Sequence, residues 1–272
     1  QKIYVTDEGN STEIDMTGQV HYESAGKVTD SDRLVAFAAP QDRAHRYLVL
    51  RKAILTGQVR YTQPGLRAEA ERIDYVPAVQ IEEILKKDNL SGRPGLLTLS
   101  GGTEAQRPRL YVTFTNGQKT RFIADSHEIL TTPAMTKFFL RGSVGINSEE
   151  GNSTCDLLEG ILELDGKGRQ VAREVIGRGH VTMLTDGATA QGQTVEYHPN
   201  DGFIRLFGDA RLRDKTGKEG VPAKELTYDM KNKIWHMESA PSSELPGQVV
   251  RPKIFLGEDF TLPGAKNLDN GR

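Results

Sequence analysis

From Gly177 to Trp235 the chain alternates apolar and polar residues in short runs separated by turn residues. Gly179 to Leu184 is followed by Thr185-Asp186-Gly187, Gly192 to Tyr197 by a turn ending at Gly202, and Phe203 to Gly208 by a restart at Gly208-Asp209-Ala210. A period of two places Val181 with Met183, Val195 with Tyr197, Ile204 with Leu206, and Leu226 with Tyr228 on one face of their strands. The residues between them are mostly polar, so each strand is expected to bury one side only. Asn200-Asp201-Gly202 and Asp214-Lys215-Thr216-Gly217 supply the positive φ angles that tight hairpin turns demand. The pattern predicts an all-β stack of repeated short antiparallel strands.

Two devices recur. Thr17-Gly18-Gln19-Val20-His21-Tyr22 returns as Thr56-Gly57-Gln58-Val59-Arg60-Tyr61, with weaker copies at Gly142-Ser143-Val144 and Gly179-His180-Val181. A small residue, an aliphatic three positions on and a Tyr two further recur in Ala70 to Tyr75, Gly192 to Tyr197 and Ala223 to Tyr228. Aliphatic and Tyr share a strand face, while the small residue leaves room for a neighbouring layer. A unit repeating at roughly 30 to 40 residues signals a solenoid-like stack in which each unit is buried by its neighbours.

Elsewhere the order is less regular. Asp30 to Arg46 reads as an elaborated loop or an edge strand, and Val79 to Lys87 as a short amphipathic helix. Leu110 to Phe114, Thr120 to Ala124, Lys137 to Leu140 and Leu157 to Leu164 read as strands, the last with a composition that also suits a helix. The expected organisation is one repeat domain over 1–240 with a divergent insertion at about 76–175. A Pro- and Gly-rich extended tail or linker follows over 241–272.

Charge changes little in this picture. Thirty-five basic and 37 acidic residues give a net charge of -2, which argues against a general nucleic-acid binder and supplies no attraction to an anionic membrane. The apolar runs are too short for a membrane-crossing helix or a signal-peptide core. Cys155 is the single cysteine, so an internal disulfide framework is excluded.

Candidate chemistry is sparse. The six histidines have no i, i+4 pair and no Cys partner at zinc spacing, Glu82-Glu83 and Glu149-Glu150 point apart as sequence neighbours, and Cys155 has no adjacent base. No nucleophile elbow, phosphate loop or dinucleotide fingerprint occurs. The expectation is a non-enzymatic protein without metal or cofactor. Arg205, Arg211, Arg213 and Lys215 share the parity opposite to Ile204, Leu206 and Leu212, giving a basic strip suited to a phosphate or simply to a solvated face.

Taken in order, Gly179-His180-Val181, Ala190 to Tyr197, Gly202, Ile204 to Ala210 and Ala223 to Asp229, with the earlier copy Leu55 to Val59 and Ala68 to Tyr75, resemble the OstA-like, or LptA/LptC/LptD N-terminal, family of lipopolysaccharide-transport proteins. The resemblance covers 177–237 best, 12–75 fairly and 76–175 poorly. It implies a folded-over β-jellyroll, a β-taco, whose two sheet halves enclose an apolar groove for acyl chains. The groove candidates are Val20, Val59, Val181, Met183, Val195, Tyr197, Ile204, Leu206, Leu226, Tyr228 and Ile234, with Tyr22, Tyr61 and Tyr75 toward the mouth.

The implied function is lipid binding and bridging in lipopolysaccharide transport and outer-membrane biogenesis. The implied partners are lipopolysaccharide or a related lipid, OstA-like β-jellyroll proteins docking on terminal edge strands, and further copies head to tail. The implied compartment is the periplasm of a Gram-negative-type bacterium, reached through a signal segment not present in this chain. The competing expectation is a structural or adhesive β-solenoid with a closed core and no lipid; a carbohydrate-active enzyme finds no support in the scattered carboxylates.

Overall fold

Among the described residues the alternation is realised as one antiparallel sheet of 16 strands. The computed structural model describes residues 2–239 apart from 8–10, 25, 41–47, 78–94, 102, 115–116, 133–134, 150, 168–169, 186 and 199–200. The strands are β1 (Lys2–Asp7), β2 (Thr12–Ser24), β3 (Lys27–Pro40), β4 (Leu48–Gln63), β5 (Leu66–Pro77), β6 (Gly95–Ser100), β7 (Arg109–Thr113) and β8 (Lys119–Ile123). They continue with β9 (Ser126–Thr131), β10 (Met135–Ser148), β11 (Gly151–Leu164), β12 (Gln170–Leu184), β13 (Ala188–His198), β14 (Phe203–Asp214), β15 (Ala223–Asp229) and β16 (Ile234–Ser239).

The long strands do not run straight. In β2, β4, β10, β12 and β14 the register slips between Thr17 and Val20, Thr56 and Val59, Arg141 and Val144, Arg178 and Val181, and Phe207 and Ala210. Each slip holds a glycine and the residue after it, both at positive φ: Gly18-Gln19, Gly57-Gln58, Gly142-Ser143, Gly179-His180 and Gly208-Asp209. Two consecutive left-handed residues bend a strand sharply, and only glycine takes the first place without strain. At Gly57 and Gly179 space imposes the same choice, because a Cβ would lie 2.3 Å from Oδ2 of Asp32 and of Asp156 respectively. The recurring Gly-x-Val of the sequence is therefore a corner.

Each corner splits its strand into two arms, and equivalent arms pair with one another. Residues 48–56 of β4 pair with 33–40 of β3, while 59–63 pair with 66–70 of β5. Repetition of this scheme builds two facing layers joined along a spine of corners. In the middle, separate strands do the same work. β5 pairs with β6 through 72–77 and with β7 through 66–69, and β10 pairs with β9 through 136–141 and with β8 through 145–147. Because β6 also pairs with β9 and β7 with β8, six strands close a ring. The described strands between residues 95 and 164 thus pair within both layers.

Arg107 ties the spine together here. Its Nη2 donates to the carbonyls of Gly142 and Ser143 at 3.1 and 2.7 Å, and its Nε lies 3.1 Å from Asp125 Oδ1.

One expectation is corrected. Lys27–Pro40 forms β3, which pairs with β2 on one side and β4 on the other, so the first part of the segment 30–46 is an interior strand rather than a loop or an edge. Lys27, Asp32 and Arg33 are exposed while Ser31 is buried, so charges and a buried hydroxyl break the apolar alternation that would announce a strand. Leu157 to Leu164 is strand, within β11. The helix expected at 79–87, residues 41–46 and the tail 241–272 lie outside the described residues.

Apolar side chains meet between the layers in one cluster running from Leu55 to Met237. It is tightest at the ring, where Leu99, Leu110, Phe122, Ile129, Phe138 and Leu140 are fully buried and the Phe122 and Phe138 rings stand 5.7 Å apart.

Candidate functional site: an apolar cleft between the layers

Beyond the ring, toward the C-terminal strands, the layers part. The gap is lined on one side by Phe122, Ile146 and Met183, and on the other by Leu158, Val175, Val195 and Ile204. Phe114, just past β7, and Tyr197, near the end of β13, face each other across it. Their rings meet edge to face with centroids 5.2 Å apart. Polar groups gather where strands end, at Gln118, Ser148 and Ser153, with Met230 beside them. The volume of this cavity is about 70 Å3. That is room for about five water molecules, or for a short stretch of alkyl chain without movement of the layers.

Four of the groove candidates line this cleft: Met183, Val195, Tyr197 and Ile204. Val181, Leu206, Leu226 and Tyr228 are buried beside it as packed core. Val20 and Val59 are buried next to the corners of β2 and β4, at the other end of the stack. Ile234 does not face inward. Tyr228 pairs with Trp235 and Leu226 with Met237, so those two side chains enter the core and Ile234 shares the outer face with Asp229. The Asp229 turn decides this parity, since its carboxylate accepts the N–H groups of Lys231 and Asn232 and sets where β16 begins.

The mouth tyrosines also divide. Tyr22 is exposed and Tyr75 half-buried, whereas Tyr61 is buried and donates to Gln63 Oε1 at 2.8 Å. Sequence reasoning missed Phe114, Phe122, Ile146, Leu158 and Val175 as lining residues. The alternations ending at Phe114 and flanking Phe122 were present, but which layer faces which is a long-range fact.

The three arginines of the expected basic strip have acidic neighbours. Arg211 and Arg213 converge on Glu219 at 3.1 and 3.3 Å, and Arg205 lies 3.9 Å from Glu225, so much of the expected basic strip is neutralised locally. Cys155 is buried, and burial pushes its thiol up to about 12, which leaves it protonated and unreactive at neutral pH.

His127 is the unusual polar group. It sits on β9 between Leu99 and Leu140 in register, is fully buried, and neither ring nitrogen has a hydrogen-bond partner. Burial, aided by the positive charge of Arg107, brings its pKa down to about 3. Among the described residues no group of three or more His, Cys, Asp or Glu converges in metal-binding fashion.

Residues 114–234 match the family described as LptA/(LptD N-terminal domain) LPS transport protein. That span begins at the cleft residue Phe114 and includes the cleft lining in full. A solved structure of LptH, described as the LptA homologous periplasmic component of the lipopolysaccharide transport device from Pseudomonas aeruginosa, is similar at 19% identity. The similarity covers 50% of this chain and 94% of that one, with a TM-score of 0.36. No curated protein matches the chain.

Proposed function

Because residues 114–234 match the LptA/LptD N-terminal family of lipopolysaccharide-transport proteins, we propose that the chain holds lipid A-type acyl chains in the cleft between its layers during transport across the periplasm. The observation that carries this reading is the cleft itself: an apolar gap inside the family-matching segment, lined by Phe122, Leu158, Val175, Met183, Val195 and Ile204. Each methylene taken from water there contributes about 0.8 kcal/mol. The sugar and phosphate part of the ligand stays outside, near Gln118, Ser148 and Ser153. The chain contributes binding and no chemistry, and energy for movement comes from partners. β1, which pairs with β2 alone among the described strands, offers a free edge to a like-folded partner or to another copy by β-augmentation.

The test is native mass spectrometry after incubation with lipopolysaccharide, comparing wild type with Ile204→Glu. Ile204 is half-buried and lines the cleft, so a charge there blocks an alkyl chain at modest cost to the fold. A stoichiometric adduct lost in the variant supports the reading. The packed ring favours the second reading, a scaffold with no cargo, because its fully buried residues leave no continuous channel along the stack; absence of a wild-type adduct would select it.

A further inference from the structure

The cleft is separated from the N-terminal end of the stack. Leu99, Leu110, Phe122, Ile129, Phe138 and Leu140 fill the interior of the ring, all fully buried, so a chain moving along the axis of the layers meets a plug. At the side the barrier is thinner. β7 packs across the gap onto β12, and the Phe114 ring just past its end rests edge-on against Tyr197. Those two residues belong to opposite layers and share no ladder hydrogen bonds. Polar ends of strands, Gln118, Ser148 and Ser153, lie around the same opening.

We propose that an alkyl chain enters and leaves this cleft sideways, between Phe114 and Tyr197, and that this aromatic contact is the gate that sets the rate. The inference rests on the reading above that the cleft holds an alkyl chain. Parting this pair moves two side chains at the rim, whereas opening the ring displaces Phe122 and Phe138 together with the aliphatic side chains around them. The sideways route also leaves a polar headgroup in water throughout, at the side where the polar residues stand. The axial route would draw it past a fully apolar plug, at the cost of desolvating it.

The experiment is stopped-flow fluorescence of dansyl-undecanoic acid mixed with wild type, Phe114→Leu, Tyr197→Leu and Phe138→Leu, each checked for folding by circular dichroism. Leucine keeps apolar bulk and removes the ring contact, and two gate variants guard against one misfolding. The expected result is association and dissociation both faster by roughly 2- to 10-fold in the two gate variants, the worth of one aromatic pair, with Phe138→Leu at the wild-type rate. Unchanged rates in both gate variants, or acceleration only in Phe138→Leu, overturn the sideways route while leaving lipid binding intact. A wild type that takes up no probe overturns the binding reading itself, and the route with it.

Discussion

The two ends of the stack share the same corner and are filled differently. At the N-terminal end the inner face of the first layer is the ladder Ile3, Met16, Leu34, Leu55. Leu55 is buried, Leu34 and Met16 are half-buried, and Ile3 is 58% exposed, with Val5 beside it at 64%. The facing arm offers Val20, Ser31, Thr29 and an exposed Tyr22, which is too little apolar volume to cover that ladder. At the C-terminal end the ladder Leu206, Leu226, Met237 is buried throughout, and the Trp235 and Tyr228 rings meet at a tilt with centroids 5.0 Å apart. The corners determine that the layers face each other. Whether the space between them is filled depends on the side chains each arm carries.

This contrast makes unequal demands on stability. Leu226→Ala in the closed end is expected to cost about 2–5 kcal/mol, and Met16→Ala in the open end under about 1 kcal/mol, measured by urea unfolding. Equal losses would show that the open end is covered in solution. Next in size, Arg107→Met at the spine removes two carbonyl bonds and an ion pair, with an expected loss of about 2–3 kcal/mol that the apolar variant does not restore.

The pH dependence sharpens the comparison further. His127 is neutral when folded and regains its ordinary value of 6.5 on unfolding. Between those limits the unfolded chain binds the extra proton, so stability declines as pH falls below 6.5, by about 2 kcal/mol on reaching about pH 5. His127→Leu is expected to flatten that slope and to raise stability near neutrality, since two unpartnered nitrogens disappear. Persistence of the full slope in the variant would assign it to other groups. The smallest effect is expected of Ile3→Asp, within about 0.5 kcal/mol by the same unfolding measurement, because Ile3 is mostly in water already.

Much of the fold was legible because its signals are local. The glycine of Gly-x-Val carries a backbone requirement, and four of the five corners can be found by it; the fifth, Gly208-Asp209-Ala210, has lost its valine yet keeps the positive φ angles. Strand identity in β12 to β15 follows from alternation alone. β3 was obscured because Asp30, Asp32 and Arg33 stand together where it crosses from one layer to the other, which interrupts its apolar alternation. Ile234 was misplaced by one residue, a slip that turns a side chain from one face to the other. The cleft was only half legible. Met183, Val195, Tyr197 and Ile204 declare their parity, while Phe114 and Phe122 become lining residues only because β7 crosses the gap, which no local pattern encodes.

The spine of left-handed pairs has a mechanical meaning. Ladder hydrogen bonds run from strand to strand within each layer, and the two layers are joined covalently through the corners. Separating them away from the spine therefore breaks no ladder and flexes only the backbone where strands cross from one layer to the other. The molecule is stiff along its length and compliant in one direction, like a book whose pages are bound and whose covers are held together by the stickiness of the paper.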